Sequence, residues 1–204
     1  MLLKKFCKTT LIVLSILWVL GCDNAQLTPI SASATILAFG DSLTYGKGVN
    51  EGDSYPSVLA RLTNREVVNA GISGELTKDG LARLGDVLAE FNPELLILLE
   101  GGNDILRNQN LAKTKQNLAS MIELAQAQGI QVVLIGVPEK KLFSNSASLF
   151  SELAKQYHLA YDGELIASLL RSPKYKSDSV HFNEKGYRKM AKAIFALLKE
   201  NNAL

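Results

Sequence analysis

The sequence predicts an α/β domain in which a parallel sheet is covered by helices on both faces, and three observations predict it. The 204 residues are about the length of one domain. Short β-branched or leucine-rich runs alternate with longer amphipathic stretches along most of the chain. The most apolar run, 95–99, is continuous rather than alternating, which suits a strand buried on both faces. Apolar residues make up 47% and charged residues 21%, and no Gly, Pro, Gln or Ser bias points to disorder or a fibrous repeat. Five runs read as strands: 35–39, 66–69, 95–99, 131–137 and a weaker 159–161. Amphipathic stretches at 54–62, 77–91, 111–128, 146–157 and 183–199 read as helices, the last with Tyr187, Met190, Ala191, Ile194 and Leu198 at helical spacing. Such alternation implies right-handed crossovers. In a doubly wound sheet of order 2-1-3-4-5, ligands sit at the carboxyl ends of the strands where the order reverses.

Ahead of the first strand, Lys4, Lys5 and Lys8 precede the apolar run 11–20, which only Ser15 interrupts, the pattern of a signal peptide. A run of about ten residues is half the roughly 20 needed to cross a bilayer as a helix. Val19-Leu20-Gly21-Cys22 resembles the bacterial lipobox, which implies cleavage before Cys22 and lipidation of its thiol. Residues 1–21 are therefore expected to be a signal peptide, 22–33 the lipidated Cys and a tether containing Pro29, and 34–204 the domain. Asp23 resembles a signal for retention in the inner membrane. The expected location is thus the outer face of the cytoplasmic membrane, the periplasmic side in a host with two membranes. Cleavage takes three of the 22 basic residues against 20 acidic ones, so the formal charge falls from +2 to −1. A nucleic-acid partner is not expected from so balanced a chain. Cys7 and Cys22 have no ligand-type spacing, so neither a thiolate metal site nor a disulfide framework is expected. A monomer is the expected state.

The loops after the first three strands carry the chemistry. They read Gly40-Asp41-Ser42-Leu43-Thr44-Tyr45-Gly46, Gly71-Ile72-Ser73-Gly74 and Gly101-Gly102-Asn103-Asp104. A serine in a glycine-flanked turn is a candidate nucleophile that needs a base within hydrogen-bond reach. His181 lies three residues after Asp178, a spacing that lets the carboxylate hold one ring nitrogen while the other faces the serine. Backbone N–H groups of Ser42 and Gly74, with the side-chain amide of Asn103, suit an oxyanion hole. A histidine base predicts activity that rises with pH as the ring loses its proton.

Gly40-Asp41-Ser42-Leu43, Gly74, Gly101-x-Asn103-Asp104 and Asp178-x-x-His181, in that order, resemble the SGNH, or GDSL, hydrolase family. The strings from Val67 to Gly74 and from Gly80 to Leu84 look like its bacterial acyl-thioesterase, lysophospholipase and arylesterase branch. The resemblance runs from Ala34 to the C-terminus. It implies a flavodoxin-like, three-layer α/β/α sandwich with a five-stranded parallel sheet, and ester hydrolysis without metal or cofactor. It also implies Ser42 as nucleophile, Asp178 and His181 as its partners, and Ser42, Gly74 and Asn103 as the oxyanion hole. The expected substrate is a small acyl ester or lipid, with deacetylation of an envelope polysaccharide as the enzymatic alternative. A non-catalytic ligand-binding module at the sheet switch point is the alternative of another class.

Several residues have plainer readings. A serine at position 42 is otherwise a helix N-cap. Asp41 and Asp104 fix their loops through hydrogen bonds. His158 has a packing or surface role, and Lys185, Arg188, Lys189, Lys192 and Lys199 form a solvated basic face. The segment 138–148 is short and polar, with Glu139, Lys140 and Lys141, which leaves the acyl-chain length open. Thr44 stands where a G-x-S-x-G elbow needs its second glycine, which argues against the α/β-hydrolase fold.

Overall fold

The structure, a computed structural model, describes residues 27–140 and 145–204. The signal segment, Cys22 and the first part of the expected tether lie outside the described residues. Strands β1 (Thr35–Gly40), β2 (Glu66–Gly71), β3 (Leu95–Leu99), β4 (Gln131–Ile135) and β5 (Ala160–Asp162) form one parallel sheet in the order β2-β1-β3-β4-β5. The helices are α1 (Ser42–Tyr45), α2 (Tyr55–Thr63), α3 (Thr77–Phe91), α4 (Gly102–Leu106), α5 (Leu111–Gln126), α6 (Ser148–Gln156), α7 (Leu165–Leu170) and α8 (Glu184–Glu200). α2 packs on α8, which also meets α7, while α3 packs on α5, which also meets α6. These two groups make the outer layers of the three-layer sandwich.

Burial explains the order. Ile36 to Phe39 and Leu95 to Leu99 have no exposed surface, as the two central strands of a sheet covered on both faces require. β2 lies at an edge and is only half-buried. The helices begin where capping residues stand. The Ser54 hydroxyl accepts from the Ser57 N–H before α2, Asn110 from Ala112 and Lys113 before α5, and Asn183 from Gly186 before α8. Each such cap stabilises by about 1 kcal/mol.

Some elements depart from the sequence expectation. β4 ends at Ile135 rather than at residue 137: its last ladder bond is the Gly136 N–H donating to the Asp162 carbonyl of β5 at 2.9 Å, and beyond it the chain leaves the sheet. Val137 and Pro138 are thereby freed to line a cavity. The short helices α1 and α4 are one turn each and show no period. α7 buries Leu165, Ile166, Ala167 and Leu169, so it has no polar stripe to reveal it.

The expected tether is corrected from residue 27 onward. The Leu27 N–H donates to the Asn201 carbonyl and the Ile30 N–H to the Ala203 carbonyl, both at 3.0 Å. Thr28 and Gln131 exchange two hydrogen bonds, at 2.6 and 2.9 Å. Ser31 donates from its N–H and hydroxyl to the Glu94 carboxylate, at 2.9 and 2.7 Å, which holds that carboxyl below its ordinary value. Ile30 is buried in the core. Residues 27–33 are thus a strap across the amino-terminal ends of the strands. Its polar composition conceals this, because most of its bonds run through backbone and short side chains. A chain truncated to start at Ala34 is expected to be less stable than one starting at Leu27 by about 3 kcal/mol, from the lost burial of Ile30 and its hydrogen bonds. Urea unfolding of the two chains measures the difference.

Candidate active site

The carboxyl ends of β2, β1 and β3 lie level, since Gly40 pairs with Gly71 on one side and Leu99 on the other. α1 starts at once after β1 and rests on the end of β2. A Cβ added to Gly71 would fall 2.1 Å from the Tyr45 nitrogen, so only glycine allows this approach. Asp41, not Ser42, caps α1, its Oδ1 accepting from the Leu43 N–H at 3.0 Å. The Ser42 hydroxyl is left to face His181, whose Nε2 stands 3.0 Å from Oγ.

His181 comes from the loop before α8. Asp178 Oδ2 meets its Nδ1 at 2.7 Å, and Asp178 Oδ1 accepts the N–H groups of Val180 and His181, both at 2.8 Å. These donors, Val180 foremost, lower the Asp178 carboxyl to about 2 although it is half exposed. The loop is pinned from outside. The Ser177 N–H donates to the His181 carbonyl at 3.0 Å, and the Asn183 amide donates to the carbonyls of Lys174 and Lys176 at 3.0 and 3.1 Å. Phe182 is fully buried against the edge of the Tyr187 ring, and the Tyr187 hydroxyl reaches the Lys47 carbonyl at 3.0 Å. The stretch holding His181 is therefore fastened both to α8 and to the segment after α1.

Asn103 is the second residue of α4, and its amide donates to Asp41 Oδ2 at 3.2 Å. Asp41 thus orients the backbone beside Ser42 with one oxygen and the Asn103 amide with the other. Asp104 accepts from the Thr77 N–H, the Thr77 hydroxyl and the Thr114 hydroxyl, at 2.9, 2.7 and 3.1 Å, tying α4 to α3 and α5. Gly74 stands at the tip of the turn after β2, which is tied to β1 by the Ile72 N–H donating to the Gly40 carbonyl at 2.9 Å. Its φ of 82° lies in the left-handed region that favours glycine.

The structure thus brings Ser42, His181 and Asp178 into one hydrogen-bonded chain, with Asn103 bonded to Asp41, the residue directly before Ser42. Gly74 is on the neighbouring turn and is not part of the cavity wall. His158 is exposed in the turn before β5 with a φ of 52°. The arrangement can remove the Ser42 proton through Nε2 while Asp178 holds the other ring nitrogen. Beside it opens a cavity of about 230 Å³, lined among the described residues by Leu43, Ile105, Val137, Pro138, Ile166 and Leu170.

Sequence reasoning missed three contributors. Ile166 and Leu170 lie on the overlooked α7. Arg107 is exposed, and its Nη2 is 3.3 Å from where a Cβ on Gly74 would lie. The third is a pair of buried carboxyls, Glu75 and Glu100, that join Asp41 and whose one visible signal was an acid directly after the fully apolar β3.

Residues 38–189 match the model of the GDSL-like lipase/acylhydrolase family. The chain is 40% identical over 116 residues to esterase TesA of Pseudomonas aeruginosa, covering 54% of this chain and 58% of that protein. It is 26% identical over 161 residues to thioesterase 1/protease 1/lysophospholipase L1 of Escherichia coli K12, covering 75% and 77%. The chain therefore spans little more than half the length of the first of these relatives. The crystal structure of TesA superposes with a TM-score of 0.74 at 28% identity, covering 82% of this chain and 99% of that one.

Burial raises the Asp41 carboxyl from 3.8 to about 6, only partly opposed by the Leu43 N–H and by His181. Its folded value is higher than its unfolded one, so the ionised form opposes folding. That cost is present in full above about pH 6 and is relieved as pH falls toward 3.8. Asp41→Asn removes the buried charge and keeps an acceptor for the Leu43 N–H, but it turns an N–H₂ group toward the Asn103 amide. The variant is expected to be more stable than wild type at pH 8 by roughly 1–3 kcal/mol, with that gain shrinking by pH 4.5. Misplacing Asn103 is expected to cost about 10–100-fold in kcat. Thermal unfolding at both pH values and ester hydrolysis at pH 8 check the two effects.

Proposed function

The chain belongs to the GDSL-like lipase/acylhydrolase family, and from that premise we propose that it is an ester hydrolase that cleaves short- and medium-chain acyl esters, lysophospholipids among them, through an acyl-enzyme on Ser42. The observation that carries this reading is the 3.0 Å approach of His181 Nε2 to Ser42 Oγ, with Asp178 on the other ring nitrogen. Ser42 Oγ bonds to the acyl carbon as its proton passes to Nε2, and Asp178 stabilises the imidazolium that forms. The oxyanion takes hydrogen bonds from the Asn103 amide and the backbone N–H groups of Ser42 and Gly74. The ester C–O bond then breaks, Nε2 returns its proton to the leaving alcohol, and water repeats the sequence on the acyl-enzyme.

The apolar cavity supports an acyl chain over an acetyl group, which would leave most of its wall unfilled. At about 230 Å³ it is smaller than the roughly 300–1,000 Å³ usual for drug-sized ligands, which supports short and medium chains over long ones. Arg107, beside Gly74, supplies a cation suited to a phosphate on the leaving alcohol. Hydrolysis of p-nitrophenyl esters from acetate to palmitate is expected to peak at short to medium length and to fall by palmitate. Ser42→Ala is expected to lower kcat by about 10⁴-fold or more with its circular dichroism unchanged.

The lipobox pattern supports a lipid anchor at Cys22, with residues 1–21 removed. Leu27 is the fifth residue after that Cys, so the link reaches at most about 17 Å. Leu27 is bonded to Asn201, at the far end of α8 from His181. A 17-residue helix is about 25 Å long, so the anchor holds the strap end of the domain to the membrane and turns the cavity away from it. This favours substrates arriving from the aqueous side. Cys22→Ser in a host that processes lipoproteins is expected to move the protein from the membrane fraction to the soluble one, with kcat/KM on a soluble ester unchanged.

A further inference from the structure

Beneath the two turns that carry Gly74 and Asn103, three carboxyls are buried together. Asp41 comes from the end of β1, Glu75 follows Gly74 directly, and Glu100 stands at the end of β3 directly before Gly101. They are 4%, 7% and 0% exposed. Three ionised carboxylates in one buried spot would repel each other strongly. The cation on this side is Arg83, whose Nε and Nη2 donate to the two oxygens of Glu75 at 2.7 and 2.6 Å. The same guanidinium donates to the Ala70 carbonyl at 2.8 Å and lies 3.9 Å over the Phe39 ring, so it is committed to Glu75.

Glu100 has no such partner. Its Oε2 accepts the Gly101 N–H at 3.1 Å, and its Oε1 is buried with no donor facing it. The neighbouring group left to meet it is the Glu75 carboxyl, which raises the Glu100 carboxyl both as a hydrogen-bond partner and by its charge. Two carboxyls share a hydrogen bond only when one of them carries a proton. Glu75 accepts two guanidinium bonds and is the ionised member. The proton belongs to Glu100, where it removes the buried charge and forms the bond to Glu75. Burial first, then Asp41 and Glu75, push the Glu100 carboxyl up to about 10 against the Gly101 N–H.

We propose that Glu100 is a neutral, proton-donating positioning residue whose hydrogen bond to Glu75 clamps the Gly74 turn to the Gly101–Asn103 turn. The two turns leave different strands, β2 and β3, which are not neighbours in the sheet. β1 lies between them, so no ladder bond joins them directly. The clamp sets the spacing of the Gly74 N–H and the Asn103 amide, and it rests on the reading of those groups as oxyanion donors. The other charged groups facing this cluster are His181 and Asp104, both of which act on Asp41. Asp104 is itself satisfied by the two threonines.

The test combines a spectrum with kinetics. In the infrared, wild type at pH 8 is expected to show the carbonyl stretch of a protonated carboxyl, and Glu100→Gln is expected to lack it. The glutamine amide can donate to Glu75 in the same way, so Glu100→Gln is expected to fold and to keep kcat within about threefold of wild type. Its kcat should also stay level at alkaline pH, where that of wild type declines as Glu100 ionises. Glu100→Leu cannot donate and is expected to lose about 10–100-fold in kcat at little change in KM. Absence of the band in wild type, a Gln variant that is unfolded or as slow as Leu, or a Leu variant at wild-type kcat would each overturn the proposal. The band does not depend on turnover, so the clamp and the ester hydrolase reading can fail separately.

Discussion

Gly40 stands opposite Gly71 and Leu99 at once, so both ladders of β1 run out at one level. Three loops leave the sheet from that line, and the nucleophile loop has the middle place. The register follows from burial. Moving β1 by one residue would exchange its two side-chain sets between layers that differ in shape, one made by α2 and α8 and the other by α3 and α5. The geometry of the site is thus inherited from core packing well below it. The small residues at the strand ends let α1 lie on the sheet itself, and they bring Ser42 to the line where α4 begins with Gly102 and Asn103.

The acids of the site divide by solvent. Asp178 is half exposed and receives two backbone N–H bonds, which keep it ionised and its face toward His181 fixed. Asp41, Glu75 and Glu100 are buried, and each meets a different donor: a helix N-terminus and an amide, a guanidinium, and a single backbone N–H. The first arrangement holds a charge that the proposed reaction needs, at little cost in desolvation. The second holds protein loops together with strong hydrogen bonds in a low-dielectric interior, where an unmatched charge would be costly. Asp41 belongs to both. It is buried, yet it touches the backbone after Ser42 and the amide of Asn103, so the electrostatics of the scaffold reach the reacting serine through one side chain.

What the sequence made legible follows from how each feature is encoded. The central strands announce themselves because burial on both faces demands continuous apolar runs, as in Leu95 to Leu99. The long helices do so through caps and a single apolar stripe, as in α8. Ser42, Asn103, Asp178 and His181 stood out because the proposed chemistry needs those residue types in those loops. The strap 27–33 was not, since hydrogen bonds from its backbone and serine leave no period. α7 was hidden by being apolar on most of its surface. Glu75 and Glu100 look like ordinary acids beside glycines, and only packing shows that they meet. Ser42 was weighed as a helix cap, and the structure gives that task to Asp41 one residue earlier, which leaves the hydroxyl unspent.

α8 joins the two ends of the molecule that matter most. Asn183 caps it and, through bonds to the carbonyls of Lys174 and Lys176, gathers the loop that carries His181. At the other end Asn201 and Ala203 receive the strap. The helix buries Tyr187, Met190, Ala191, Ile194 and Leu198 along its length, so it is held to the core at every turn rather than only at its ends. A pull on the strap is therefore taken up first by Ile30, by the Thr28–Gln131 pair and by the Ser31–Glu94 pair, and then by the core beneath the helix. None of the strap's hydrogen bonds given among the described residues runs to the loop of His181. On the proposed reading, the anchored end and the reacting end share one element, and the hydrogen bonds of the strap lie a helix length away from those that hold His181.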